Sequence, residues 1–440
     1  MKWLLGWMIV LFMLTCGQYA LAEDVVVEVE ANNIVPPVAY GDSPFEQQTT
    51  AINIGDVIGS KTGYIHPYLA IGEFYTSNFF ETESNRKSEY ITRITPGIWV
   101  SLPASPYQLV RLNTLNVAPG GLALSRFRSK GKTRLQAYGS YQADILLHDR
   151  YDEEDQVNQK GEGYFRYNFR GGLSVELFDV YELQYDSAGS GPTRDQDKFT
   201  SNLLASTVSY EFSPKTRGEV EYAWYTLEYD DSDASFRDRD DQRITGRFFY
   251  QFMPKTSAFV EYNFIDIDYN EAVLSDSTEN QGYLGLEWQQ TYKSRWRAMV
   301  GYGQKSFDED GLDDANNLLA EIQFRHRFTP KTYVDLRGNR NTNETDSIGG
   351  DYILSHKFQI RYFQRMTAKF LTSINFYYKN DSYKGSDRDD DYYGAGIDLK
   401  YTLTRWLNLA GGYSFLERDS SIQDNDYDKH DVYLNLVASF

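Results

Sequence analysis

Three near-copies of one short segment, Phe212-Ser-Pro-Lys-Thr216, Phe252-Met-Pro-Lys-Thr256 and Phe328-Thr-Pro-Lys-Thr332, punctuate the second half of the chain. Degenerate equivalents stand at Thr291-Tyr-Lys-Ser294, Gln364-Arg-Met-Thr367 and Leu403-Thr-Arg-Trp406, giving a spacing of about 38 residues. That period suits two strands, one tight turn and one longer loop. Alternating segments flank each Pro-Lys-Thr turn, such as Arg243-Ile-Thr-Gly-Arg-Phe-Phe-Tyr-Gln-Phe252 and Ser257-Ala-Phe-Val-Glu-Tyr-Asn-Phe264. Proline is tolerated there because a turn does not need its N–H.

The connections between these turns have the opposite character. Asp230–Asp241, Asp308–Asp314, Ser386–Asp391 and Asp424–Asp428 are longer and acidic. Short turns on one side and long polar loops on the other are the asymmetry of a transmembrane barrel with its short side in the periplasm. A globular β-sandwich would alternate its loop lengths less regularly. The chain end agrees. From His430 onward apolar and polar residues alternate, placing Val432, Leu434, Leu436, Ala438 and Phe440 on one face of a closing strand, with Asp431, Tyr433, Asn435, Val437 and Ser439 on the other. This strand resembles the C-terminal signal, ending in Phe, by which bacterial barrel-assembly machinery selects its clients.

Composition fits the same destination. Tyr, Phe and Trp number 36, 26 and 7, a load that a soluble surface rarely carries and that barrels use as interfacial girdles. Mean hydropathy is only −0.56, as expected when a polar lumen offsets a greasy exterior. At the amino terminus Lys2 precedes an apolar stretch, Trp3 to Leu14, and then Ala20-Leu21-Ala22, a small-x-small cleavage site. About a dozen apolar residues is too short to span a bilayer, so residues 1–22 are expected to be an export leader. The only cysteine, Cys16, leaves with it, excluding disulfides, thiolate metal sites and haem attachment from the mature chain. Without Lys2 the chain has 43 basic and 63 acidic residues, net −20, which disfavours nucleic acid as a partner.

Alternation predicts strands at 64–80, 89–102, 134–148, 162–170, 173–186, 201–212, 216–230, 242–252, 256–268, 280–290, 294–307, 317–328, 332–342, 350–364, 367–381, 390–403, 406–419 and 430–440. The expected fold is therefore all-β, an antiparallel transmembrane barrel of 18 strands, with 16 as the alternative. Residues 23–63, with Pro36-Pro37, read as a periplasmic extension able to enter the lumen. Residues 104–133, with Pro119-Gly-Gly121, are long for a periplasmic turn and read as a small structured insertion.

The segment His66-Pro-Tyr-Leu-Ala-Ile-Gly-Glu-Phe-Tyr-Thr-Ser-Asn-Phe-Phe80, followed by Glu89-Tyr-Ile-Thr-Arg-Ile-Thr-Pro-Gly-Ile98, resembles the opening of the putative beta-barrel porin 2 family of Gram-negative outer-membrane proteins. The resemblance covers roughly residues 63–440. It implies an outer-membrane location, contact with outer-membrane lipid and lipopolysaccharide, and association with exopolysaccharide secretion systems through periplasmic polysaccharide export components. The 104–133 insertion departs from the shortest family pattern.

Function in such a barrel is set by what faces the lumen. In the inferred registers Glu176, Glu211, Glu219, Glu221 and Glu261 point inward from the fifth, sixth, seventh and ninth strands. Arg295, Arg297, Arg325, Arg327 and Arg361 point inward from the eleventh to the fourteenth. Opposed acidic and basic arcs would set up a transverse field that filters polar solutes. The alternative is mutual neutralisation in a packed network. Pore lining is preferred because 18 strands make a barrel too wide for its own side chains to fill.

No catalytic or cofactor chemistry is expected. His66, His148, His326, His356 and His430 are scattered without ligand spacing, and no strained nucleophile turn selects a serine for His326 or His356. Asp424, Asp426 and Asp428 lack the Gly and distant Glu of a calcium loop and read as a solvated cluster. The expected function is a passive channel for polar or polymeric solutes, with the exopolysaccharide conduit as its extension. A general diffusion porin and a non-conducting barrel plugged by residues 23–63 are the rivals.

Overall fold

The computed structural model describes residues 63–104, 114–122, 134–188, 196–291, 293–309, 311–348 and 350–439. The expected leader, nearly all of the expected extension, most of the 104–133 insertion and Phe440 lie outside the described residues.

Eighteen strands follow one another: β1 (Ile65–Thr76), β2 (Glu89–Leu102), β3 (Leu135–His148), β4 (Gln156–Asn168), β5 (Leu173–Tyr185), β6 (Lys198–Ser213), β7 (Thr216–Tyr229), β8 (Arg239–Met253) and β9 (Thr256–Tyr269). The second half continues with β10 (Ser277–Thr291), β11 (Ser294–Phe307), β12 (Ala315–Thr329), β13 (Thr332–Asn343), β14 (Tyr352–Arg365), β15 (Phe370–Lys384), β16 (Asp389–Thr402), β17 (Leu407–Ser420) and β18 (Tyr427–Ser439). Each pairs antiparallel with its sequence neighbours. β1 also pairs with β18, from Tyr68 opposite Ser439 to Thr76 opposite Asp431, so the sheet closes without an edge.

Alternation decides which face meets lipid. On β7, Val220, Tyr222 and Trp224 are exposed while Glu219, Glu221, Ala223 and Tyr225 are buried. On β18, Val432, Leu434 and Leu436 are exposed, and Asp431, Asn435, Val437 and Ser439 are buried. The largest boundary error is in β4, which starts at Gln156 rather than near residue 162. Gly161 and Gly163 occupy the outward row there, between Val157 and Phe165, so no apolar alternation marks the strand.

The two ends of the barrel are built differently. At the short-turn end, Ser213 Oγ accepts from the backbone N–H groups of Lys215 and Thr216, both at 3.1 Å, and Thr329 Oγ1 does the same for Lys331 at 3.1 Å. The Ser or Thr two residues before Lys thus closes the turn locally. At the long-loop end an aspartate caps the outgoing strand. Asp155, Asp238, Asp276 and Asp426 accept from the N–H of His148, Tyr229, Tyr269 and Ser420, each at 2.7 Å. Part of the acidic composition of these loops is therefore structural.

Candidate functional site

All ten charged residues expected in the lumen lie on inward rows, but their arcs are not opposed. Glu261 on β9 accepts from Arg247 on β8 at 2.7 Å and from Arg297 on β11 at 3.1 Å, with Arg297 also reaching Glu287 at 2.8 Å. Glu221 accepts from Thr207 at 3.0 Å and lies 3.6 Å from Arg247, and Glu219 lies 3.2 Å from Arg217. The expected transverse separation is thus corrected to a contiguous, largely neutralised network over β7 to β12. Its cause is Arg247, on the eighth strand, which places a cation inside the expected acidic arc.

The remaining members differ in enclosure. Glu176 is buried and accepts from Tyr164 at 3.1 Å, whereas Glu211 is exposed at the short-turn end of β6. Arg295, Arg325, Arg327 and Arg361 are half-buried. Arg295 stands opposite Arg325, Arg325 opposite Asp335, and Asp335 opposite Arg361. Asp335 receives Arg325 in a bidentate pair at 2.5 and 2.7 Å, and it is the acid that sequence reading overlooked in this arc.

A second group was not foreseen. The chain between β2 and β3 leaves and re-enters at the short-turn end, yet its residues 114–122 pack on inward side chains near the long-loop end. Thr114 donates to Glu182 on β5 at 2.5 Å, and Asn116 accepts from the Tyr225 hydroxyl on β7 at 2.9 Å. Gly120 N–H donates to Asp241 on β8 at 2.8 Å, while Arg239 donates to the carbonyls of Asn116 and Ala118. Gly120 and Gly121 have φ of 67° and 70°, so both need the left-handed freedom of glycine. A Cβ on Gly121 would also meet the Tyr225 ring at 2.4 Å. Pro119, Gly120 and Gly121 form a short 3-10 turn and are buried.

From the opposite end the β13–β14 loop folds in to meet this segment. Glu344 N–H donates to the Val117 carbonyl at 2.7 Å, and the Glu344 carboxylate receives Lys305 at 2.5 Å and Tyr269 at 3.0 Å. Burial alone would raise the Glu344 carboxyl, but Lys305 and Arg239 outweigh it and hold it below its ordinary value. Wall, inner segment and outer loop therefore meet in one hydrogen-bonded cluster. Pro119-Gly-Gly121 was the only sequence signal for it.

The histidines serve other ends. His66 stacks on Trp99 at 3.8 Å between centroids and contacts the Gly63 carbonyl at 2.9 Å. His148 lies 3.5 Å from Asp155, His356 contacts Arg340, and His430 contacts the Tyr413 hydroxyl at 2.9 Å. His326 Nδ1 lies 2.7 Å from Ser294 Oγ, but among the described residues no carboxylate is hydrogen-bonded to this ring to complete a triad. Asp426 caps Ser420 and Asp428 pairs with Arg86 at 2.5 Å, so both of these clustered aspartates are engaged within the protein.

A closed 18-stranded antiparallel barrel with a lipid-facing apolar exterior, a charged interior and a segment folded into its lumen defines an outer-membrane channel of the porin class. The chain belongs to the Putative beta-barrel porin 2 family, whose profile matches residues 114–440. The His66–Phe80 and Glu89–Ile98 motifs that carried the resemblance lie before the matched residues. No curated protein matches the chain. Solved structures similar to it include OccK2 (OpdF) of Pseudomonas aeruginosa, at 11% identity and TM-score 0.45, covering 86% of this chain and 99% of the other. OccAB4 of Acinetobacter baumannii is similar at 11% identity and TM-score 0.44, covering 87% and 100%. A BenF-like porin of Pseudomonas fluorescens Pf-5 is similar at 10% identity and TM-score 0.44, covering 86% and 99%.

Proposed function

We propose that this porin is a passive channel for small polar solutes, with its throughput set by the constriction of residues 114–122 against β5, β7 and β8. The observation that carries this reading is the grip on that segment. Asp241, Arg239, Tyr225 and Glu182 hold it by hydrogen bonds from the wall, and Glu344 holds it from the outer loop. Solutes must then pass beside a charged wall through a lumen narrowed at one level, the arrangement by which a pore selects by size and polarity. Export of an exopolysaccharide, the larger-solute form of the same reading, requires the segment to leave the lumen. A barrel held shut by residues 23–63 is the non-conducting form.

Single-channel recording of the full chain and of a Gly121→Val, Arg239→Ala double variant tests the reading. The valine has no room beside Tyr225 and cannot adopt the φ of Gly121 without strain, and the alanine removes the donors to Asn116 and Ala118. A parent with small, steady conductance and a variant with several-fold larger conductance support it. Equal conductances would show that the segment does not limit flow. A parent that is silent until residues 23–63 are removed would replace it with the plugged barrel.

A further inference from the structure

The outer face of the wall carries a groove that a barrel does not need. It lies across β6 to β9, has a volume of about 590 Å³, and is lined by Val208, Tyr210, Val220, Phe248, Val260 and Tyr262. Its origin is in the register. One outward row runs Val208, Val220, Gly246, Tyr262, and the row nearer the short turns runs Tyr210, Gly218, Phe248, Val260. Each row loses one side chain to glycine, at adjacent strands; the Phe212 ring covers Gly218, and the slot that remains is floored by backbone at Gly246. A Cβ built on Gly246 meets nothing within 4 Å, so this glycine is not required by crowding. A close approach by a ligand to the backbone is one of the uses of a glycine in a strand interior.

Two cations stand on the turns beyond the short-turn end of the slot. Lys215 tips the β6–β7 turn and Lys255 the β8–β9 turn; both are exposed, and among the described residues neither is in an ion pair. The turns themselves, Ser213–Thr216 and Met253–Thr256, contain no acid. The nearest charged neighbours face away, because Glu211 is on the inward row and Arg217 is spent on Glu219 at 3.2 Å. Phe212 and Phe252 are exposed beside the lysines, 62% and 43%, as aromatic side chains are at the level of lipid headgroups. An apolar slot in the hydrocarbon layer thus opens onto a pair of cations at the headgroup layer.

We propose that this groove binds one anionic glycerophospholipid of the phosphatidylglycerol kind, from the leaflet that meets the short turns. One acyl chain lies in the slot over Gly246, against the Phe212 ring that covers Gly218, and the headgroup sits on Lys215 and Lys255. On the orientation read from loop lengths, that leaflet is the periplasmic one. Lipid tails are as apolar as the groove, so the chain gains packing but no transfer from water. Discrimination between lipids therefore resides in the two lysines. A second copy of this chain is a poorer occupant. A two-fold contact across the groove would bring four turn lysines together without a counter-charge.

Native mass spectrometry of the full chain, in micelles doped with equal amounts of dioleoyl phosphatidylglycerol and dioleoyl phosphatidylethanolamine, tests the site. One phosphatidylglycerol retained per chain, in preference to phosphatidylethanolamine, is the expected result. Each surface cation contributes about fivefold to anionic lipid affinity, so Lys215→Ser with Lys255→Ser should weaken retention about 25-fold and abolish the preference. Gly246→Leu, which fills the slot without displacing a neighbour, should lose both lipids while keeping the heat-modifiable barrel. Equal retention of the two lipids, or unchanged phosphatidylglycerol binding in the lysine double variant, would overturn the proposal. So would a lipid-free dimer in place of a lipid-bearing monomer. If Gly246→Leu fails to assemble, the lysine variant alone decides.

Discussion

Lys305 and Glu344 meet at 2.5 Å although Lys305 belongs to the wall strand β11 and Glu344 to the loop that follows β13. Both side chains are almost wholly enclosed, at 1% and 3% exposure, and the same carboxylate takes the Tyr269 hydroxyl while its backbone N–H reaches Val117. One residue thus ties the outer loop to the wall and to the segment inside the lumen. Losing one partner of a buried ion pair costs about 3–5 kcal/mol, because the other charge is left enclosed and uncompensated.

The first prediction follows from that pair. Glu344→Gln leaves Lys305 without its counter-charge, so the loop should detach and single-channel conductance should rise and become noisier. Acid should do the same to the parent. A carboxyl held below its ordinary value of 4.5 in the fold contributes stability that is present above that value and lost as pH falls through the lower, folded one. The parent's conductance should therefore rise only in acid below about pH 4.5, whereas that of Glu344→Gln should be raised throughout. Matching pH profiles for the two proteins would remove Glu344 from the constriction.

The second concerns Arg297, which is 2% exposed and bonded to both Glu261 and Glu287. Arg297→Met should lower thermal stability in detergent and shift reversal potentials toward cations, most visibly at low salt, where the screening length is about 30 Å at 0.01 M. Adding Glu261→Gln should recover part of both, because the two charges are removed together. A double variant no nearer the parent than Arg297→Met in either measurement would mean that the pair is not coupled.

The third is topological. A cysteine replacing Ser235, on a long loop, should react with a membrane-impermeant reagent on intact cells, and one replacing Lys255, on a short turn, should not. The only native cysteine, Cys16, is in the expected leader, so the mature background is silent. The reverse pattern would invert the barrel and move the proposed lipid to the other leaflet.

Most of the wall was legible in the chain itself, for a local reason. A strand of period two with one side in lipid and one in the lumen writes its face into consecutive residues, as Val220, Tyr222 and Trp224 do against Glu219, Glu221 and Tyr225. The Pro-Lys-Thr turns then set register between neighbours. Where glycine occupied the outward row, at Gly161 and Gly163, the pattern vanished and the start of β4 was misplaced.

The lumen was another matter. Alternation put Glu261 and Arg297 inside without saying that they would bond to one another, since a strand's pattern reports its own face and not the reach of a long side chain across β10. Closure of the barrel decided that. Closure also decided the contacts of the inner segment: Gly120 meets Asp241 across 121 positions, and neither residue's sequence neighbourhood contains the other. Periodicity is a property of one strand in contact with two solvents. Residues 114–122 are enclosed by wall and loop instead, and what they touch was set only when eighteen strands had curled around them.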